Sequence, residues 1–194
     1  QMGIRVILVP GARNRIDEVL ATYKIDCPTI NGTRVSPPEA IPFIKMAAFD
    51  VSNKLMTLLA ENGADAVIGN WVRARSIGVR DGIDFQSSGI VEKLKIEIIK
   101  NVLSDNLIPI FPNIGWSATG KPYNLSSNEL AFNISTEVNA TKLFFVTDRD
   151  GIRGKDYKLP ENIVQNDGMV SQLTVEQAGQ FIKWGRKPAY PADP

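Results

Sequence analysis

The chain has 194 residues, enough for one large domain or two small ones with a substantial core. Lys and Arg together number 22 against 21 Asp and Glu, a balance that gives no support to nucleic-acid or anionic-membrane binding as the main task. There is no histidine and one cysteine, Cys27, which excludes Ser-His-Asp and Cys-His devices, His-ligated zinc and any intrachain disulfide. No apolar stretch reaches membrane-spanning length and the N-terminus lacks a signal peptide's regions. The expectation is therefore a cytoplasmic chain in a reducing compartment, bound to neither nucleic acid nor membrane.

Ile4 to Val9 is an apolar, β-branched run of strand length, expected as a strand buried on both faces. Pro10-Gly11 ends it, and a helical period follows with Ile16, Val19 and Leu20 on one face. A strand–Gly–helix turn leaves backbone N–H groups free to attract phosphate or carboxylate, unless Gly11 merely closes a short connection. Tyr23 to Thr33 reads as a loop, with Pro28 and Asn31-Gly32. Ser36-Pro37-Pro38-Glu39 reads as a helix start, with Ser36 as cap and Glu39 completing a capping box. An apolar stripe from Ile41 through Leu55, Leu58 and Leu59 then runs to Gly63, a C-cap. Arg34, just before this helix, is either a solvated loop residue or a charge aimed over a ligand crevice.

Ala66 to Gly69 predicts a second strand, and residues 70–94 predict inserted β-hairpins, with Asp81-Gly82 as the turn signal. Arg73 and Arg75 would share one strand face, either as a solvated hairpin surface or as a patch for an anion or acidic partner. Ile96 to Leu103 predicts a helix and Leu107 to Phe111 a buried strand in which Pro109 implies an edge or irregular pairing. Asn113 to Pro122 is turn-rich and holds Trp116, an anchor for a partner element or lid. Ser126 and Glu129 form a capping box for a helix carrying Leu130, Ile134 and Val138 inward. Lys142 to Thr147 predicts a fourth strand ending at Asp148, and Asp156 to Gly168 a loop or flap. A last helix is expected from Thr174 to about Trp184, and Pro188 to Pro194 as a tail or linker.

Strands and helices alternate throughout, which predicts an α/β fold: a mainly parallel sheet between two helical layers, with a hairpin excursion. Gly11 to Arg13, Asn124 and Asp148 each follow a strand and are expected along one sheet edge, as a small-molecule crevice for a carboxylate or phosphate.

Four stretches carry a family resemblance: Val9-Pro10-Gly11-Ala12-Arg13, Asn31-Gly32-Thr33-Arg34-Val35, Tyr123-Asn124-Leu125-Ser126-Ser127-Asn128-Glu129 and Leu143-Phe144-Phe145-Val146-Thr147-Asp148-Arg149-Asp150-Gly151-Ile152. They resemble successive motifs of the amino acid kinase family, in its acetylglutamate branch. The segment Ala74 to Gln86, with Gly89, is similar to the kinase-like domains of N-acetylglutamate synthases, which acetylate glutamate at the start of arginine synthesis. The resemblance runs from Gly3 to Ile182 and implies a three-layer αβα sandwich, the amino acid kinase fold.

The resemblance further implies an acetylglutamate-like site on Gly11, Ala12, Arg34 and Asn124, with Arg34 pairing a carboxylate. It also marks departures. The kinases carry a histidine and three glycines where Pro10-Gly11-Ala12-Arg13 stands, and an aspartate organising catalytic lysines where Asn128 stands. Arg13, Asn128 and Asp148 are thus degenerate kinase positions. The kinase lysine strand is expected before residue 1 and the second lysine after residue 194, so residues 1–187 read as a partial domain and 188–194 as its tail. Phosphoryl transfer without that charge stabilisation is not expected. The implied role is regulation and assembly in a homo-oligomer, with glutamate, acetylglutamate or arginine as ligand. Acetyl-CoA is implied for a transferase domain outside this chain, and no cofactor for the chain itself. An active acetylglutamate kinase and a stand-alone binding module for an acidic amino acid are the alternatives.

Overall fold

Apolar residues at helical spacing and short β-branched runs set the layers of the fold. The computed structural model describes residues 3–148, 151–157 and 159–183. The chain divides into two units, one running through Leu143 and the other starting at Phe144.

In the first unit α1 (Arg13–Thr22) packs on α2 (Ile41–Glu61). Ile16, Val19 and Leu20 bury against Ala40, Ile41, Ile44, Ala47 and Ala48, as their spacing predicts. Arg15 Nε donates to Asp50 Oδ2 at 2.8 Å across the pair. Hydrogen bonds from Lys54 and then Arg15 hold the Asp50 carboxyl below its ordinary range, against an opposing effect of burial. The buried stripe of α2 ends at Ser52, and Leu58 is 55% exposed. With 10 residues against 21, α1 is half as long as α2 and leaves the far end uncovered. Gly63 ends α2 as expected, at φ +69°.

The start of α2 departs from the sequence reading. A 3₁₀ turn, Pro38–Ala40, precedes it, and no side chain caps either element. Ser36 is fully buried with its hydroxyl drawn into an interior polar cluster, so it cannot also reach the helix N–H groups. The preceding stretch, expected as a loop, holds a hairpin of β1 (Thr29–Ile30) and β2 (Thr33–Arg34) turned by Asn31-Gly32.

Next come β3 (Ala66–Ile68) and the expected nested hairpins. The outer one is β4 (Val72–Ser76) with β7 (Gly89–Leu94); the inner is β5 (Val79–Arg80) with β6 (Ile83–Asp84). Asp81 and Gly82 turn the inner one at φ +50° and +77°, the mirror-image turn that suits strand twist. After α3 (Ile96–Ser104) follow β8 (Ile108–Ile110), β9 (Ile114–Trp116), β10 (Pro122–Asn124) and α4 (Ser127–Glu137). Strands β3 and β8 pair in parallel, and β10-β9-β4-β7 form a mixed sheet in which β4 and β9 are parallel. Trp116 sits in β9 opposite Arg73 and Pro122 rather than in a lid.

The opening segment is not the doubly buried strand its composition predicts. Ile4 is 70% and Val6 41% exposed, and Leu8 alone makes a bridge, parallel to Ile110. Pro109 is the reason. Ile108 N–H donates to Asp65 O on the β3 side, so the nitrogen of residue 109 faces Leu8. Leu8 N–H reaches Pro109 O at 3.0 Å and Phe111 N–H reaches Leu8 O at 2.8 Å. The next bond, toward Val6, needs a hydrogen that proline lacks.

A second core gathers Trp71, Leu94, Ile99, Phe111, Leu130 and Ile134 between strands, α3 and α4. Along β9, Ile114 faces the first core, while a methyl built on Gly115 would strike Ala74 and Leu125 of the second. Adjacent residues of one strand thus serve opposite layers, the αβα arrangement read from the sequence.

The second unit contains a 3₁₀ turn (Gly154–Asp156), a hairpin of β11 (Val164–Asn166) and β12 (Met169–Gln172), and α5 (Val175–Lys183). Tyr157 and Phe181 pack with centroids 5.2 Å apart and ring planes tilted by 53°. One expectation fails, and one, a loop or flap, gains a strand. Lys142 to Thr147 forms no strand: Phe144 and Val146 are 75% and 97% exposed, and apolar composition makes a strand only where a neighbour completes the ladder. The flap expected over Asp156 to Gly168 contains β11 and the tight turn into β12. Arg149, Asp150, Trp184 and the tail at 188–194 lie outside the described residues. Among the described residues no helix is long and apolar enough to cross a membrane.

Candidate functional site

Three backbone segments meet at the ends of β2, β7 and β10. Ser36 bridges Gln86 and Ser88 bridges Asn124, both in parallel sense. Ser87 N–H donates to Ser36 O at 2.9 Å and Asn124 N–H to Ser87 O at 3.0 Å. Five polar residues are buried there among apolar neighbours: Ser36, Ser87, Ser88, Asn113 and Asn124.

Four of their side chains form a continuous chain of contacts. Asn113 Nδ2 donates to Asn124 Oδ1 at 3.0 Å, and Asn124 Nδ2 donates to Ser36 Oγ at 3.0 Å. The Ser36 and Ser88 hydroxyls lie 2.9 Å apart, and Ser88 Oγ donates to Arg34 O at 2.5 Å. Asn113 Nδ2 also reaches Leu125 O at 3.4 Å, and its Oδ1 is buried without a partner among the described residues.

The Arg34 main chain therefore belongs to this cluster. Its guanidinium does not reach into it: it pairs with Asp17 of α1, and Nη1 donates to Cys27 O at 3.5 Å. Burial pushes the Cys27 thiol up, and the Arg34 charge partly offsets that.

The Gly11-Ala12 turn lies beside the start of α4. Ala12 precedes the first helical residue of α1, and no side chain caps that helix. A methyl built on Gly11 would lie 4.0 Å from Ser127 Oγ, which places this turn beside the first residue of α4. Ser126 caps α4 by accepting from Glu129 N–H at 3.4 Å, half of the expected capping box. Burial raises the Glu129 carboxyl, opposed by the Val91 N–H and by Arg80.

Asn124 is thus joined to the Arg34 backbone through Ser36 and Ser88, and Gly11 lies beside Ser127, three residues further along the chain. Arg13 opens α1 and Asn128 lies in the first turn of α4. Asp148 belongs to the second unit, exposed, and accepts from Thr147 Oγ1 at 3.4 Å. Sequence reasoning passed over Asn113 and Ser88 and gave Ser36 a capping role. The signal was present: Asn113 follows β8 as a polar residue in an apolar run, and Ser87-Ser88 interrupts a strand pattern before Gly89. Chemically the cluster offers donors to an anion or carbonyl. Its hydroxyls are spent on each other and on a carbonyl, with no carboxylate among the linked side chains to activate them.

The profile of the amino acid kinase family matches residues 1–192. The chain belongs to the amino acid kinase family. Within it, the amino-acid acetyltransferase of Ralstonia nicotianae is 31% identical over 197 residues, covering 97% of this chain and 42% of the relative. That of Aeromonas salmonicida is 31% identical over 188 residues, covering 92% of this chain and 42% of its own length. Among solved structures, N-acetylglutamate synthase from Neisseria gonorrhoeae complexed with coenzyme A and N-acetyl-glutamate matches with a TM-score of 0.80 at 26% identity. It covers 94% of this chain and 41% of that one. The same enzyme complexed with coenzyme A and L-arginine matches at 0.78. This member of the amino acid kinase family therefore spans about two fifths of the length of the relatives it matches.

Proposed function

We propose that this chain is the kinase-like regulatory and assembly domain of an N-acetylglutamate synthase, a cytoplasmic enzyme that makes N-acetyl-L-glutamate from acetyl-CoA and L-glutamate. Acetyl transfer, and the acetyl-CoA site, belong to a domain outside this chain. The observation that carries the reading is the match of nearly the whole chain, at 94–97%, to about two fifths of proteins named for that activity. The site chemistry agrees with binding rather than phosphoryl transfer, since Asn128 stands where the kinases carry their aspartate and hydroxyls and amides line the cluster. The resemblance to the arginine-bound synthase supports arginine as an effector of the intact protein, in a homo-oligomer.

In this reading Gly11 and Ala12 give backbone N–H groups, Arg34 a two-point contact, and Asn124 an amide to a glutamate-like ligand. Arg34 must exchange Asp17 for the ligand carboxylate. Calorimetric titration of N-acetylglutamate into the intact protein tests the site. Arg34→Ala and Asn124→Ala should each weaken binding by about ten- to a hundredfold, the worth of a charge-assisted contact. Equal binding by both variants at matched stability places the ligand elsewhere. Coupled ADP-release and CoA-release assays on the 194-residue chain should stay at background. ADP release above background would favour an acetylglutamate kinase instead.

A further inference from the structure

The buried cluster has a direction. Leu125 O at one end and Arg34 O at the other are backbone carbonyls, which only accept. At the first end, Asn113 must turn its NH₂ toward Leu125 O and Asn124 Oδ1, although this leaves Asn113 Oδ1 buried and unpaired. At the other end, the single hydrogen of Ser88 is committed to Arg34 O. The Ser36–Ser88 contact must then use the Ser36 hydrogen, which leaves Ser36 Oγ to accept from Asn124 Nδ2. Every donor in the chain points the same way, from Asn113 to Arg34.

We infer that Ser36, Ser88 and Asn113 are positioning residues that lock the Asn124 amide with its oxygen inward and one Nδ2 hydrogen to spare, so that the site selects a carboxylate oxygen over an amide nitrogen. The inference rests on the ligand reading above. Asn124 is 8% exposed and could otherwise turn its amide over, since oxygen and NH₂ have the same shape. Reversal is blocked at both neighbours: it would set Asn124 Nδ2 against the Asn113 NH₂, and Asn124 Oδ1 against a Ser36 oxygen whose hydrogen is already committed. The unpaired Asn113 Oδ1 is the counterpart of this arrangement, because a buried acceptor without a partner is destabilising and persists only where other groups over-determine the orientation.

The test reads a preference rather than an affinity. N-acetylglutamate and its α-carboxamide are titrated into the intact protein, Ser36→Ala, Ser36→Thr and Ser88→Ala. The parent should favour the acid at least about tenfold. Ser36→Ala and Ser88→Ala should each lower that preference by about two- to fivefold, since each removes the serine block to reversal of the Asn124 amide while the Asn113 block remains. Ser36→Thr keeps the hydroxyl and should keep the preference. Should Ser36→Ala fail to fold, Ser88→Ala carries the same comparison with a smaller change at the ligand. An undiminished preference in the alanine variants overturns the relay while the binding site stands. A parent that binds neither compound overturns the binding site, and the positioning role with it.

Discussion

Gly89→Ala is the most direct perturbation of the junction that holds the site. Gly89 begins β7, one residue after Ser88, and pairs with Ser76 of β4. A methyl built there would lie 2.6 Å from Tyr123 Cβ and 2.9 Å from Arg75 O. Relaxed carbon contacts sit at about 3.5–4.0 Å, so strands β7 and β10 would have to part by about 1 Å. Neither obstacle is a flexible side-chain tip; one is a Cβ and the other backbone. Overpacking of this kind costs about 1–3 kcal/mol. At about 2–4 °C per kcal/mol for a chain of this size, Tm should fall by about 2–12 °C. The same separation pulls on the Asn124 N–H bond to Ser87 O, so hydrogen exchange at Asn124 should quicken together with the loss of stability. Circular-dichroism melting and amide exchange on the parent and variant measure both. An unchanged Tm with unchanged exchange at Asn124 would refute the close approach and the argument built on it.

Gly11→Ala separates site from scaffold: its methyl meets Ser127 Oγ at an ordinary 4.0 Å and its φ is not positive, so stability should change by less than about 0.5 kcal/mol while calorimetry shows weakened N-acetylglutamate binding. Asp17→Asn removes the partner with which the ligand competes for Arg34; Asp17 is half-exposed, and binding should tighten by about two- to fivefold, whereas weaker binding would mean that Asp17 orients Arg34 instead. Glu129 has its folded-state pKa raised by burial, so the native state binds more protons than the unfolded chain, and stability is lost as pH rises from the ordinary glutamate value, about 4.3, through the raised one. Glu129→Gln keeps an acceptor for the Val91 N–H and should flatten that part of the stability–pH curve in urea titrations; an unaltered slope would place its origin elsewhere.

The α/β layering was legible because it depends on periodicity, and Ile16, Val19 and Leu20 behave as their spacing says. Turn chemistry was legible too: Asp81-Gly82 makes the hairpin that its residues demand. What escaped depends on pairing rather than composition. The opening run is as apolar as a buried strand, yet Pro109, a hundred residues on, withholds the hydrogen that would extend its ladder. Lys142 to Thr147 has strand composition and no described neighbour to pair with. At the site, Gly11, Ala12 and Asn124 were singled out because each was read as following a strand. Ser36, Ser88 and Asn113 were not, because a serine before two prolines or an asparagine in a turn-rich stretch looks local until the chain crossings put them side by side.

The interruption at Pro109 also isolates the site mechanically. Among the described residues, the Leu8 N–H to Pro109 O and Phe111 N–H to Leu8 O bonds are the backbone tethers between β8 and the chain entering the Gly11 turn. Whatever pulls on residues 3–6 can peel them away without drawing on either bond. Strain stops at Leu8, three residues short of the turn, as a tear stops at a stitch. The Phe111 N–H becomes a gauge of whether the turn is moored: its exchange should remain slow while the amides of residues 4–6 exchange freely, and it should quicken only when the Gly11-Ala12 donors themselves swing away.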